Sequence, residues 1–395
     1  MKVCWLLPND KSGGISPVVL SCCRQAAQAG HKTTMLFLNK PSWLTSNQFQ
    51  VSSLGLPNGA TETPKMLLQW LEQNPQDVLF FNGCEEFDVI IPYVPAKIKC
   101  VYVVHDTAPS YWLRAIAQED DLEAIVAVSE TVATKFRHQL KYPDKLSVIY
   151  NGCIFPGIEN LNYVRQDDLV FLGGENLTKG AFDVLNLWKY LIKLGFKGKL
   201  HWFGNITPKF ISKIRQLPNS EQIKIYGYVP RDVIFSIAAS AKVILMLSRV
   251  EPFGMATIEA MGMGCIPVAW DVETGTKEIA TANETALFAP LGNTHNLAQK
   301  VIFACENYQV FNDAVIECAR SKFNETVMWK GYESLIEKIS TLPAINRNKQ
   351  GQQPAAYQPP VRRFQLLPTG LRSAIRELIG RSPTLGYLVR DLRGW

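Results

Sequence analysis

At 395 residues, 47% apolar and 19% charged, the chain is long enough for two globular domains of ordinary composition. No run approaches the roughly 18 apolar residues of a membrane span, and the short apolar start, ended by Asn9-Asp10-Lys11, does not read as a secretory leader. The formal net charge is +6, yet residues 361–395 alone hold seven Arg against Glu377 and Asp391, so the body is near neutral and lacks the basic face of a nucleic-acid binder.

The nine cysteines are scattered, without metal-ligand spacing, and Cys22-Cys23 are neighbours rather than a C-x-x-C. They read as reduced buried thiols, which predicts a cytoplasmic protein. Residues 2–7 read as a strand. A loop over 8–14 carries Gly13-Gly14, a helix over 16–29 ends at Gly30, and a strand follows at 33–38. The glycine pair either brings bare backbone N–H groups to a ligand or makes a tight turn. It is not the G-x-G-x-x-G of a dinucleotide site. Buried strands are predicted at 78–83 and 99–104. The second ends in His105-Asp106-Thr107, and a His at the carboxyl end of a parallel strand either points into the ligand crevice or orients a loop. Asp106 orients His105 or caps the next segment. A strand at 124–128 precedes Ser129, the N-cap of a helix over 130–139. A strand at 147–150 with the turn Asn151-Gly152 closes the first half.

In the second half a strand at 168–172 leads into the loop Gly173-Gly174-Glu175-Asn176-Leu177-Thr178-Lys179-Gly180 and a helix over 181–194. Strands at 199–203 and 223–226 alternate with helices at 208–217 and 231–240, the last preceded by Gly227-Tyr228-Val229-Pro230. Residues 243–275 form the most informative stretch. They read as strand, loop 248–254, helix from Met255 to about Gly262, and a second apolar strand, a βαβ unit of a parallel sheet. Glu251 stands just before the helix and Glu259 within it. Pro252-Phe253-Gly254 suits a helix start, whose first N–H groups can hold a phosphate. One anion site flanked by two acceptors fits an anionic ligand that also carries hydroxyls, as a nucleotide sugar does.

Helix 294–307 and the segment 323–339 complete the core. Residues 341–361, rich in Pro, Gln and Asn, have linker composition and are expected to be disordered. From Leu366 the tail is amphipathic: Leu371, Ile375, Leu378 and Ile379 fall at helical spacing beside Arg372, Arg376 and Arg381. Such a helix suits an anionic membrane surface. The other reading is a helical hairpin docked on the body or a partner.

The string EPFGMATIEAMGMGCIPV, with Glu251-x7-Glu259 inside it, resembles the signature of retaining glycosyltransferases of the GT-B fold, family 4 (group 1). The likeness extends over about residues 1–340. It implies an α/β protein of two Rossmann-like doubly wound parallel-sheet domains facing a cleft: an acceptor domain at 1–155, a nucleotide-sugar donor domain at 166–330, a helix at 331–342 crossing back, a linker at 343–362 and the basic tail at 363–395. It implies transfer of a sugar to a glycan, lipid-linked or small-molecule hydroxyl, in cell-envelope or polysaccharide synthesis, without an essential metal or other cofactor. Glu119-Asp120-Asp121 sits in a polar stretch and is no convincing D-x-D. By the same resemblance Glu251 holds donor-sugar hydroxyls, Glu259 the ribose hydroxyls and Lys179 the diphosphate. His105 contacts the donor sugar, Gly14 faces the diphosphate and acceptor, backbone N–H groups of Phe253, Gly254 and Met255 line sugar and phosphate, and Gly227 walls the base pocket. The chain departs from the family at Gly174, where an Arg pairs with the diphosphate. Arg249 or Arg231 fills in, the helix N-terminus suffices, or activity is weak. A nucleotide-sugar binder without turnover and a nucleotide-sugar epimerase are the competing functions.

Overall fold

The computed structural model describes residues 1–11, 13–157 and 164–360, and beyond them 368, 370, 371, 374 and 375. Over residues 1–360 the chain divides into two compact units, Met1–Cys153 with 325–360, and Ile154–Asn324.

The first unit is a 7-stranded sheet built from β1 (Lys2–Leu7), β2 (Lys32–Phe37), β3 (Gln50–Ser53), β4 (Val78–Phe81), β5 (Lys99–Val104), β6 (Ala124–Ala127) and β7 (Leu146–Val148). Its order is β3-β2-β1-β4-β5-β6-β7, every pair parallel. The central strands are near-continuous apolar runs because helices cover both faces: α1 (Ile15–Gln28), α2 (Thr63–Gln73), α3 (Glu85–Asp88), α4 (Pro109–Ala117) and α5 (Glu130–Ala133). The helix expected over 130–139 is only the single turn of α5, capped by Ser129 Oγ accepting from Val132 N–H at 3.0 Å, with a separate 3-10 turn at Arg137–Gln139. β3 and α2 escaped the sequence reading; β3 is short and half-exposed and shows no clean alternation.

The second unit is a 6-stranded parallel sheet of β8 (Gln166–Phe171), β9 (Leu200–Phe203), β10 (Ile223–Tyr226), β11 (Ala241–Met246), β12 (Ile266–Trp270) and β13 (Leu287–Ala289), in the order β10-β9-β8-β11-β12-β13. It carries α6 (Ala181–Lys193), α7 (Pro208–Arg215), α8 (Arg231–Ser240), α9 (Met255–Gly262), α10 (Gly275–Ile279), α11 (Thr294–Glu306) and α12 (Tyr308–Lys322). Strand order reverses between β1 and β4 in one unit and between β8 and β11 in the other. These are the switch points at which such sheets open a ligand crevice.

The chain then returns to the first unit as α13 (Glu325–Ser340). Tyr332 of α13 sets its ring edge against Trp5 (centroids 5.1 Å apart) and Phe80 (5.8 Å), themselves stacked at 3.9 Å. Glu325 pairs with Arg24 of α1 at 2.8 Å.

Disorder was expected over residues 341–361, and for the described part, to 360, the structure corrects this. The segment straps across the first unit. Arg347 is 2% exposed. It pairs with buried Glu123 at 2.8 Å and donates to the carbonyls of Asp121 (2.9 Å) and Ile98 (3.1 Å). Tyr357 N–H donates to Thr61 O at 2.8 Å and its hydroxyl to Glu85 at 3.1 Å. The composition misled because polar bonds, not a periodic apolar face, hold the strap. The amphipathic tail, 363–395, lies outside the described residues apart from the five positions named above. Among the described residues no helix is long and apolar enough to cross a membrane. All nine cysteines are free thiols, eight of them buried.

Candidate active site

In the second unit, the loops after β8 and β11 meet at the switch point. Arg249 N–H donates to Thr178 O at 2.9 Å, tying one loop to the other. Lys179, on the first loop, reaches Glu251, on the second, with Nζ 2.6 Å from Oε2. Ser248 Oγ donates to the same carboxylate oxygen at 3.0 Å. Glu251 is 7% exposed. Its carboxylate is therefore a buried charge satisfied by a cation and a hydroxyl, which is how such groups are tolerated. The Lys179 side chain keeps 36% of its surface, so its ammonium remains reachable by an incoming anion.

Gly254 caps α9 with φ +109, in the left-handed region, and a Cβ there would lie 2.9 Å from Thr257 Oγ1. A glycine is needed to turn the chain into the helix at this point. No side chain caps α9 and its first turn, beginning at Met255, carries no acid. Within the helix's own first turn no acid offsets the positive end of the dipole. The Phe253 side chain is buried, edge-on to Phe323 at 5.8 Å, so the side chain itself faces the core and not a ligand.

Glu259, one turn into α9, pairs with Arg231 at the start of α8. Burial pushes the Glu259 carboxyl up, and Arg231 opposes that shift. Gly227 follows β10, where its carbonyl accepts from Gly204 N–H at 3.2 Å and a side chain would meet nothing within 4 Å. Tyr228 beside it is 84% exposed. Lys179, Glu251, Gly254, Met255, Glu259 and Gly227 thus all stand along the carboxyl edge of one sheet or at the helix starts that follow it.

Two expectations about the missing arginine are resolved. Arg249 is not a spare cation: its guanidinium is held by Asp183 of α6, which also accepts from Trp270 Nε1 at 3.1 Å. Position 174 has no room for an arginine. Gly174 has φ +52, and a Cβ there would lie 2.7 Å from the Asn205 carbonyl. Its own carbonyl accepts from Trp202 Nε1 at 2.8 Å. The loop is packed backbone to backbone. Arg231 is itself paired with Glu259, but its side chain keeps 34% of its surface against 13% for Arg249.

In the first unit, Gly14 is the N-cap of α1, with no side-chain cap. Gly13 supplies the left-handed turn at φ +50. His105 follows β5 and is 9% exposed. Its Nε2 lies 2.9 Å from Asn82 Oδ1. Asn82 Nδ2 donates to Leu6 O (3.2 Å) and Phe80 O (3.1 Å). These two carbonyls fix the amide orientation, because a flipped amide would set oxygen against oxygen. His105 Nε2 must therefore carry the proton, which leaves Nδ1 as an acceptor. Burial lowers the His105 pKa to about 3, so the ring is neutral. Asp106 caps the following segment, its Oδ1 accepting from Ala108 N–H at 2.9 Å. Asn82 and Ser248 were missed in the sequence; each is a polar residue at the end of an apolar strand run, which is the signal that could have found them.

Comparison with known proteins agrees with this geometry. The family model described as Glycosyl transferases group 1 matches residues 159–322, and that described as Glycosyltransferase Family 4 matches residues 12–153. An uncharacterized glycosyltransferase of Methanocaldococcus jannaschii, MJ1607, is 25% identical over 222 residues, 52% of this chain and 56% of that protein. The chain spans at most about half the length of the curated relatives it matches. Among solved structures, Anabaena Alr3699/HepE in complex with UDP and glucose superposes with TM-score 0.69 at 15% identity, over 87% of this chain and 100% of that one. WaaG, a glycosyltransferase involved in lipopolysaccharide biosynthesis, superposes with TM-score 0.65 at 16% identity, over 86% and 100%. With both halves matched in order, and with two parallel α/β sheets of this topology, the chain belongs to the group 1 glycosyltransferases of the GT-B fold.

Proposed function

We propose that the protein is a retaining glycosyltransferase that moves a sugar from a nucleotide-sugar donor to an acceptor hydroxyl in cell-envelope or polysaccharide synthesis. The observation that carries this reading is the Lys179–Glu251 pair at the uncapped N-terminus of α9. A donor diphosphate takes Lys179 and the first N–H groups of α9 as its counter-charges. Glu251, released from the ammonium, then accepts from hydroxyls of the donor sugar. Glu259 accepts from the ribose hydroxyls, and Arg231 supplies the positive charge that the family places at position 174. In the reaction the bond from the sugar C1 to the diphosphate oxygen breaks. The acceptor oxygen bonds to C1 on the same face, and its proton passes to the departing diphosphate. Cations and a helix dipole suffice for the leaving-group charge, so no metal enters the reading.

The UDP and glucose bound by HepE and the lipopolysaccharide role of WaaG support a nucleotide-sugar donor and an envelope glycan. The arginine-rich pattern of residues 363–395 supports contact with an anionic membrane surface. The experiment is a thermal-shift panel of nucleoside diphosphates and nucleotide sugars, followed by a transfer assay with the stabilising donor. A true donor at about 100 times Kd adds about 2.7 kcal/mol of stability. Stabilisation with no product from any acceptor favours the binder reading that Gly174 raises. No stabilisation by any nucleotide overturns the proposal.

A further inference from the structure

A second feature stands on the first unit, at the same carboxyl edge as Gly14, Asn82 and His105. Asp10, just past β1, is 4% exposed. Its carboxylate accepts from Ser42 N–H at 2.6 Å, Trp43 N–H at 2.9 Å and Ser42 Oγ at 3.1 Å. Burial alone would raise its pKa, but the N–H groups of Trp43, Ser42 and Leu44 outweigh it and hold the carboxyl below the usual range. The loop after β2 is therefore nailed to the loop after β1 by a buried charge. Leu44 and Phe49, each 7% exposed, anchor it from below. Between these anchors Trp43 is 61% exposed. A fastened backbone thus presents an exposed indole, and the exposed residues flanking it in the same loop (Lys40, Ser42, Thr45, Asn47 and Gln48) carry hydroxyl or amide groups and a single charge. That surface suits a neutral polyhydroxylated ligand. The apolar C–H face of a pyranose, with its slightly positive hydrogens, packs on the negative face of an indole, while the polar neighbours meet its hydroxyls.

We propose that Trp43 is the stacking platform for a sugar unit of the acceptor glycan, remote from the hydroxyl that reacts. The inference rests on the glycosyltransferase reading. Trp43 N–H bonds Asp10, just past β1, and β1 and β5 lie two strand positions apart in the sheet order, about 10 Å at the usual strand spacing. A ligand that reaches from Trp43 to His105 spans more than one sugar unit, as an oligosaccharide or a carrier bearing one does.

The test uses a glycan array of mono- to hexasaccharides, probed with the full chain in the presence of UDP. The wild-type protein should bind oligosaccharide features and not monosaccharides. Trp43→Ala should weaken that binding by roughly 5- to 10-fold, and Trp43→Phe should recover most of it. The thermal shift with nucleoside diphosphates should be the same in all three. Equal array binding by Trp43→Ala and wild type overturns the proposal, as does a wild type that binds no glycan. A Trp43→Ala defect confined to anionic phospholipid vesicles also overturns it, in favour of a membrane contact. If no nucleotide stabilises the wild type, it is the glycosyltransferase reading that fails.

Discussion

The two switch points differ in charge. At the β8/β11 edge each key carboxylate is already met by a cation, Glu251 by Lys179 and Glu259 by Arg231. At the β1/β4 edge the groups singled out are the neutral His105–Asn82 pair, a glycine turn, and an indole on a hydroxyl-rich loop, with the Asp10 carboxylate turned onto backbone N–H groups rather than onto a cation. A site with paired charges can exchange partners with an anionic ligand without stranding a buried ion. A neutral edge selects by shape and hydrogen bonding. The site of the second unit is thus built on ion pairs, and the edge of the first on neutral groups and backbone N–H donors.

The largest effect should come from the charged half. Lys179→Ala removes the proposed leaving-group cation and leaves Glu251, among the described residues, with only Ser248, and should lower kcat by about 10²–10³-fold, measured by release of the nucleoside diphosphate. A loss below threefold would mean that another group neutralises the diphosphate. A smaller effect tests the packed loop beside it. Gly174→Ala forces a Cβ against the Asn205 carbonyl at positive φ, and should cost about 1–3 kcal/mol of stability in urea unfolding. Unchanged stability would show that the loop can relax, reopening position 174 to a functional arginine.

The neutral half is tested through pH. His105 has a folded pKa lowered by burial to about 3, against about 6.5 in the unfolded chain. Between those values the unfolded state binds a proton that the native state refuses. The stabilisation is therefore complete above about pH 6.5 and is lost progressively as pH falls toward 3. His105→Gln should flatten the dependence of unfolding free energy on pH between about 6 and 4, by at most ~1.4 kcal/mol per pH unit. An unaltered slope would mean that the ring is charged in the native protein, and the contrast between the two halves would fail.

Most of the second unit was legible because its strands are continuous apolar runs between loops of glycine and capping residues, and Glu251 and Glu259 stood out by their place in a βαβ pattern. What stayed hidden depended on partners distant in sequence. Nothing near Arg231 announces Glu259, and Asp10 gives no hint that it fastens Trp43. The strap was misread for the same reason. Arg347 in a Pro/Gln/Asn stretch looks solvated until Glu123, more than two hundred residues earlier, is brought to it. At Gly174 the sequence showed the missing charge but not the positive φ and the Asn205 carbonyl that crowd the position.

The strap and α13 have a consequence for biogenesis. The domain that leaves the ribosome first lacks its closing helix and its buried Arg347 until residues Ile154–Asn324 have also been made. The core of the later-encoded domain lies in one run, Ile154–Asn324, and can be completed while the earlier domain is still waiting for its final segment. In a translating ribosome the order of maturation should therefore run opposite to the order of synthesis, with the nascent N-terminal sheet exposing Trp5 and Phe80 to chaperones until Tyr332 arrives.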